Sequence, residues 1–146
     1  MTQSVPHSDP AKVTINGVEI VYDTFGEATS PPLLLIAGWG GQMIAWDEQF
    51  CAQLAARGHW VIRCDHRDVG LSTKLDEAGV PDIPALQEAV ARGEAVQVPY
   101  TLRDMAHDAV GSLDASRGHR NFKTNNFPAF VGEASPAQWE RWSLEA

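Results

Sequence analysis

Two short stretches hold most of the residues that could do chemistry. Gly38-Trp39-Gly40-Gly41 follows an apolar run, Leu33-Leu34-Leu35-Ile36, and Asp65-His66-Arg67-Asp68-Val69-Gly70-Leu71-Ser72 follows Trp60-Val61-Ile62. A glycine-rich turn at a strand end lets backbone amides approach a ligand closely and face developing negative charge. In one reading the Trp39 N–H, between Gly38 and Gly40, meets the charge of a tetrahedral intermediate. In a second, Gly38-Trp39-Gly40 opens a G-x-G-x-x-G phosphate cradle and Asp65 takes a ribose hydroxyl, although position 43 is Met rather than glycine. A third reading leaves only a tight strand-to-helix turn without chemistry.

Nucleophiles and bases are harder to find. The Gly-x-Ser-x-Gly turn that exposes an attacking serine occurs nowhere in the chain. Ser72 lies in a turn-rich loop, where a hydroxyl bonds to nearby backbone. Ser112, after Gly111 in a helical pattern, is expected to bond back to the preceding turn. His107 falls off the apolar stripe of that helix, and His7 and His119 lie in segments expected to be mobile. His59, Cys64, Asp65 and His66 are close in sequence, but alternate strand residues face opposite ways, so no metal site is expected from them. No cofactor is expected either.

The elements that must position these residues can be read from periodicity. Val13 and Ile15, then Val18, Ile20 and Tyr22, alternate with polar neighbours around Asn16-Gly17, which predicts a β-hairpin with a type I′ turn. Leu33 to Ile36 is continuously apolar, as in a parallel strand covered on both faces. Trp46, Phe50 and Leu54 recur at helical spacing up to Gly58, and Trp60-Val61-Ile62 begins another strand, giving a βαβ unit. Asp82 is placed to cap a short helix that ends at Gly93. Thr101-Leu102-Arg103-Asp104 reads as a capping box opening a helix with an apolar stripe through Leu102, Met105, Ala106, Ala109, Val110 and Leu113.

Composition narrows the classes of function. With 146 residues, one domain is the prior, and a net charge of -8 argues against phosphate backbones and anionic lipid. No signal-like or membrane-length apolar segment is evident, so a cytoplasmic protein with no nucleic-acid or membrane partner is expected. Cys51 and Cys64 sit in apolar patterns and are expected to be free, buried thiols. Up to Ser116 there are 7 Lys or Arg against 16 Asp or Glu, and beyond it 4 against 3. Periodicity dissolves at the same point, which divides the chain into a disordered 1–11, a folded 12–115 and an atypical tail over 116–146. Trp139 and Trp142, three apart in that tail, would share a face if it were helical and could anchor a partner.

Over residues 13–114 the chain resembles the α/β-hydrolase family. The resemblance rests on the hairpin, the Leu33 to Gly41 strand and turn, the Asp-x-Arg-x-x-Gly-x-Ser pattern at Asp65, Arg67, Gly70 and Ser72, and the helix from Leu102 to Leu113. It implies an α/β fold with an N-terminal hairpin and an incomplete, mostly parallel sheet flanked by helices. It also implies an oxyanion donor at the Trp39 N–H, with Gly38 and Gly40 beside it, a loop from Asp65 to Ser72 bordering the active site, and a small ester-like substrate in the parent family. Two departures stand out. Ala37 replaces the His that many members carry before the oxyanion glycine, and the nucleophile elbow, the acid and the later histidine are absent. The expectation is a truncated, non-catalytic hydrolase of marginal stability whose exposed strand edge invites self-association. A binding module using that edge or the tail tryptophans is the alternative, and a dinucleotide-binding domain a further one.

Overall fold

The computed structural model describes residues 5–116. The order of elements is β1 (Ala11–Ile15), β2 (Val18–Phe25), β3 (Pro32–Leu35), α1 (Glu48–Ala56), β4 (Trp60–Cys64), α2 (Ile83–Ala91) and α3 (Leu102–Ser116). The four strands form one sheet ordered β1-β2-β4-β3. β1 and β2 are antiparallel with Ile15 opposite Val18, β2 and β4 are antiparallel, and β3 runs parallel to β4 with Leu33 opposite Val61. The β1–β2 turn holds Asn16 and Gly17 at φ 51° and 78°, the paired positive values that a type I′ turn requires.

The two faces of the sheet carry separate apolar clusters. On one, Phe25, Cys51 and Val61 are packed by Leu33, Leu35 and Leu54, which brings α1 onto the sheet. On the other, Val18, Ile20 and Cys64 are packed by Val13, Ile15 and Leu34, and α3 lies against β1, β2 and β3. The two buried thiols therefore belong to opposite clusters, and both are free. Burial pushes the Cys64 thiol from about 9 up to about 12, helped by the charges of Asp65 and Asp108, and burial likewise raises Cys51. Neither thiol should react with a soluble disulfide reagent at pH 8 in the folded protein, and both should react in urea; rapid native labelling would refute this packing. Because the Cys64 proton is held more tightly in the folded state, its contribution to stability is fully present below about pH 9 and is lost as pH rises through about 12.

Local capping follows the sequence. Asp47 Oδ1 accepts from Gln49 and Phe50 N–H at the start of α1, Asp82 accepts from Ala85 N–H at the start of α2, and the Thr101 N–H donates to Asp104 Oδ2 at 2.7 Å while Thr101 Oγ1 accepts from Asp104 N–H at 3.3 Å. Among the described residues α2 buries none of its side chains.

Three expectations need correction. His7 packs on the sheet rather than lying in a free segment: it bridges to Phe25, stacks on its ring with centroids 3.9 Å apart, and lies 3.0 Å from Asp23 Oδ2. β3 is half-buried along its length instead of fully covered, because among the described residues it is an edge strand of the sheet. The α3 stripe is also rotated from its expected position, since Leu102 and Val110 are exposed whereas Asp108 and Ser112 are buried. Gly111 explains the rotation: a Cβ there would lie 2.5 Å from Ile15 Cγ2, so α3 approaches β1 on its smallest residue. Gly111→Ala should cost about 1–3 kcal/mol by overpacking, with part recovered by adding Ile15→Ala, as read from urea midpoints. The tail over 117–146, with Trp139, Trp142 and His119, lies outside the described residues.

Candidate functional site

The glycine turn begins at Gly38, three residues beyond the end of β3. Gly41 N–H donates to Gly38 O at 2.9 Å, and Gly40 has φ 69°, so the chain reverses over Trp39 and Gly40. This closing bond does not use the Trp39 amide, and the Trp39 side chain stands fully in solvent. Glycine at 41 has a steric cause, since a Cβ would lie 3.1 Å from both Ala37 Cβ and Gly38 O.

The loop after β4 is bound to this turn. Asp65 is buried, and its Oδ1 accepts from Met43 N–H at 2.7 Å while Oδ2 accepts from Leu71 N–H at 2.8 Å. One carboxylate thus clamps the exit of the glycine turn to its own loop. His66 Nε2 lies 3.1 Å from the Ala37 carbonyl, which accepts only from an N–H, so the ring carries a proton on Nε2 and holds the entry of the turn as well. Together these neighbours hold both ends of the turn while leaving its apex free.

Arg67 and Ser72 fix the loop to the body of the protein. Arg67 Nε and Nη2 donate to the two oxygens of Asp108 on α3 at 2.6 and 2.7 Å, both residues are buried, and the guanidinium lies 5.5 Å from the centre of the Tyr100 ring. The hydrogen bonds that Arg67 donates to Asp108 raise its pKa above the ordinary value. Ser72 Oγ donates to Asp65 O at 2.7 Å and accepts from Val21 N–H at 2.9 Å. With its hydroxyl buried and used twice, Ser72 is a structural tie between loop and β2. Ser112 Oγ donates to Asp108 O at 2.8 Å within α3, the back-bond expected from its helical position.

A second buried network lies beneath α1. Arg63 Nε and Nη2 donate to Asp23 at 2.7 and 2.8 Å, Nη1 donates to Trp46 O, and the guanidinium lies 5.0 Å from the centre of the Phe25 ring. His7 joins it through Asp23. Sequence reasoning found neither this network nor Asp108. The only local signals were charged residues in otherwise apolar settings, Arg63 within β4 and Asp108 beside the α3 stripe.

The sequence-derived residues thus divide by role. Gly38, Trp39 and Gly40 form the exposed turn, and Asp65, Arg67, Gly70 and Ser72 form the braced loop beside it. The alternative assignment of Asp65 to a ribose hydroxyl is not supported by its surroundings, because both carboxylate oxygens already accept backbone N–H groups in a buried position. Chemically, the arrangement offers an amide at the end of a parallel strand, where α/β sheets place their ligands. Among the described residues, neither buried serine hydroxyl is paired with a histidine.

No family model matches the chain. It is 35% identical over 103 residues to the rhodomycin D methylesterase DauP of Streptomyces sp. (strain C5), covering 70% of this chain and 28% of that protein. It is 33% identical over 105 residues to the rhodomycin D methylesterase DnrP of Streptomyces peucetius, covering 69% and 35%. Among solved structures, it superposes on a hydrolase from Pseudomonas aeruginosa PA01 with a TM-score of 0.52 and 28% identity, over 74% of this chain and 32% of the other. The enol-lactonase from Burkholderia xenovorans LB400 gives 0.51 and 25%, over 73% and 33%. The chain spans about a third of the length of the curated relatives it matches.

Proposed function

We propose, on the premise that residues 13–114 carry the N-terminal part of the α/β-hydrolase fold, that this chain supplies the oxyanion side of an ester-hydrolase centre and does not itself turn over substrate. Its lineage is that of the ester and related acyl hydrolases. The observation that carries the proposal is the braced, exposed turn: the Trp39 N–H sits at its apex, Gly38 and Gly40 leave room beside it, and Asp65 and His66 hold its two ends. An amide held in place before charge develops stabilises a tetrahedral oxyanion without reorganising, which is the main contribution such donors make. Hydrolysis also needs a nucleophile with its base, and the chain has no Gly-x-Ser-x-Gly turn to carry one.

A small ester-like molecule is the class of ligand this reading assigns to the turn, with no nucleic acid or membrane partner and a cytoplasmic setting. Among the described residues no helix is long and apolar enough to cross a membrane. The chain incubated with a fluorophosphonate serine probe should stay unlabelled at a stoichiometry where a working serine hydrolase labels fully. Stoichiometric labelling of any serine in the folded chain would overturn the proposal.

A further inference from the structure

Resting on this hydrolase reading, we infer that the Trp39 indole is the specificity surface of the same site and selects esters whose carbonyl adjoins a planar aromatic group. Covalent geometry brings the two together. An oxyanion donor stands about 3 Å from the oxygen it stabilises, so a carbonyl reacting at the Trp39 N–H lies against the residue that bears that N–H. The indole hangs from the α-carbon next to the donor nitrogen. A group attached to the carbonyl therefore falls within the span of about 4.5–7 Å over which aromatic ring centres interact.

The turn presents this indole without obstruction. A Cβ added at Gly38 or at Gly40 would meet no atom within 4 Å, so open space flanks Trp39 along the chain in both directions. The bond from Gly41 N–H to Gly38 O, with the grip of Asp65 and His66, fixes the backbone that carries the ring. The other described tryptophans are used in packing: Trp60 is buried in β4, and the half-buried Trp46 stacks on Phe50 with ring centres 6.0 Å apart. Trp39 is fully exposed, and among the described residues no aromatic ring or cation packs on it.

The chemistry of the ring selects its ligand group. An indole offers a broad face with a negative centre and a positive edge, which favours an offset-stacked planar ring over a saturated group of the same size. A quaternary ammonium group is the other natural partner of such a face. Beside an amide that faces developing negative charge, a neutral ring leaves the stabilisation of the oxyanion to the N–H.

The test titrates the nitrogen-labelled full chain with two methyl phosphonate monoanions, tetrahedral like the oxyanion, that differ only in carrying a naphthyl or a decahydronaphthyl group. The net charge of -8 repels both probes alike, so it cancels from the comparison. The naphthyl probe should bind about tenfold tighter and shift both the Trp39 backbone amide and its indole N–H in nuclear magnetic resonance spectra. Trp39→Ala should erase that preference and Trp39→Phe should restore part of it, both at the parent's urea midpoint because the side chain is exposed. A preference that survives Trp39→Ala, or tighter binding of a quaternary ammonium counterpart, would overturn the inference. A shifted Trp39 amide with equal affinities for the two probes sinks the inference alone, whereas an amide that neither probe shifts sinks the oxyanion reading and the inference with it.

Discussion

Arg67→Ala is expected to lower the stability of the folded chain by about 3–5 kcal/mol, enough to unfold much of it at room temperature. Arg67 and Asp108 are 6% and 3% exposed and meet through two parallel hydrogen bonds of 2.6 and 2.7 Å. Removing the guanidinium leaves a carboxylate in the protein interior with its main partner gone, and that uncompensated charge supplies most of the cost. The pair also joins the loop after β4 to α3, so its loss releases the brace on one side of the candidate site. The double variant Arg67→Met with Asp108→Leu removes both charges and should recover most of the loss. Exposed pairs provide the contrast: Lys12 with Glu19, or Arg92 with Glu94, should cost no more than about 1 kcal/mol when broken. Urea midpoints at constant slope measure all of these, and an Arg67→Ala midpoint close to that of the parent would show that the pair does not hold the loop.

What the sequence made legible was whatever a few neighbouring residues decide among themselves. Asn16-Gly17 specified the hairpin because two adjacent positive φ values are required there. Thr101 with Asp104, and Asp82 with Ala85, fixed helix starts because capping partners are separated by three residues. The continuous run Leu33 to Ile36 and the helix at Phe50 and Leu54 gave the βαβ order for the same reason, a period visible within a dozen residues.

Contacts between distant residues left no such trace. Arg63 with Asp23 and Arg67 with Asp108 are separated by 40 and 41 residues, and nothing in either local pattern names the partner. A terminal position alone predicts a mobile His7 segment, yet Asp23 and Phe25 hold it through one hydrogen bond and one stacked ring. On α3 the apolar stripe misplaced the buried face, since a paired carboxylate, a back-bonded serine and a glycine make the contact that periodicity assigns to large apolar residues. At the candidate site the glycines and the loop pattern were legible, whereas the carboxylate clamp required the fold.

The sharpest test of that clamp is Gly70→Ala, expected to destabilise the chain by about 3 kcal/mol or more. Two costs coincide at this position. Gly70 has φ 55°, where a side chain costs roughly 1–2 kcal/mol, and its Cβ would lie 2.1 Å from Asp65 Oδ2 and 2.3 Å from Asp65 Cγ. The carboxylate cannot simply turn aside, because its two oxygens hold Met43 N–H and Leu71 N–H, and a buried backbone donor left without an acceptor costs about 1–3 kcal/mol. Gly17→Ala separates the two terms: Gly17 has φ 78° but open space around its would-be Cβ, so it should show the conformational cost alone. Combining Gly70→Ala with Asp65→Ala removes the steric conflict, and the double variant should be less destabilised than the sum of the single changes. Strict additivity, or a Gly70→Ala cost no greater than that of Gly17→Ala, would show that Asp65 is free to move. The Trp39 turn would then lack the fixed anchor at Met43 that lets its amide face an oxyanion without reorganising.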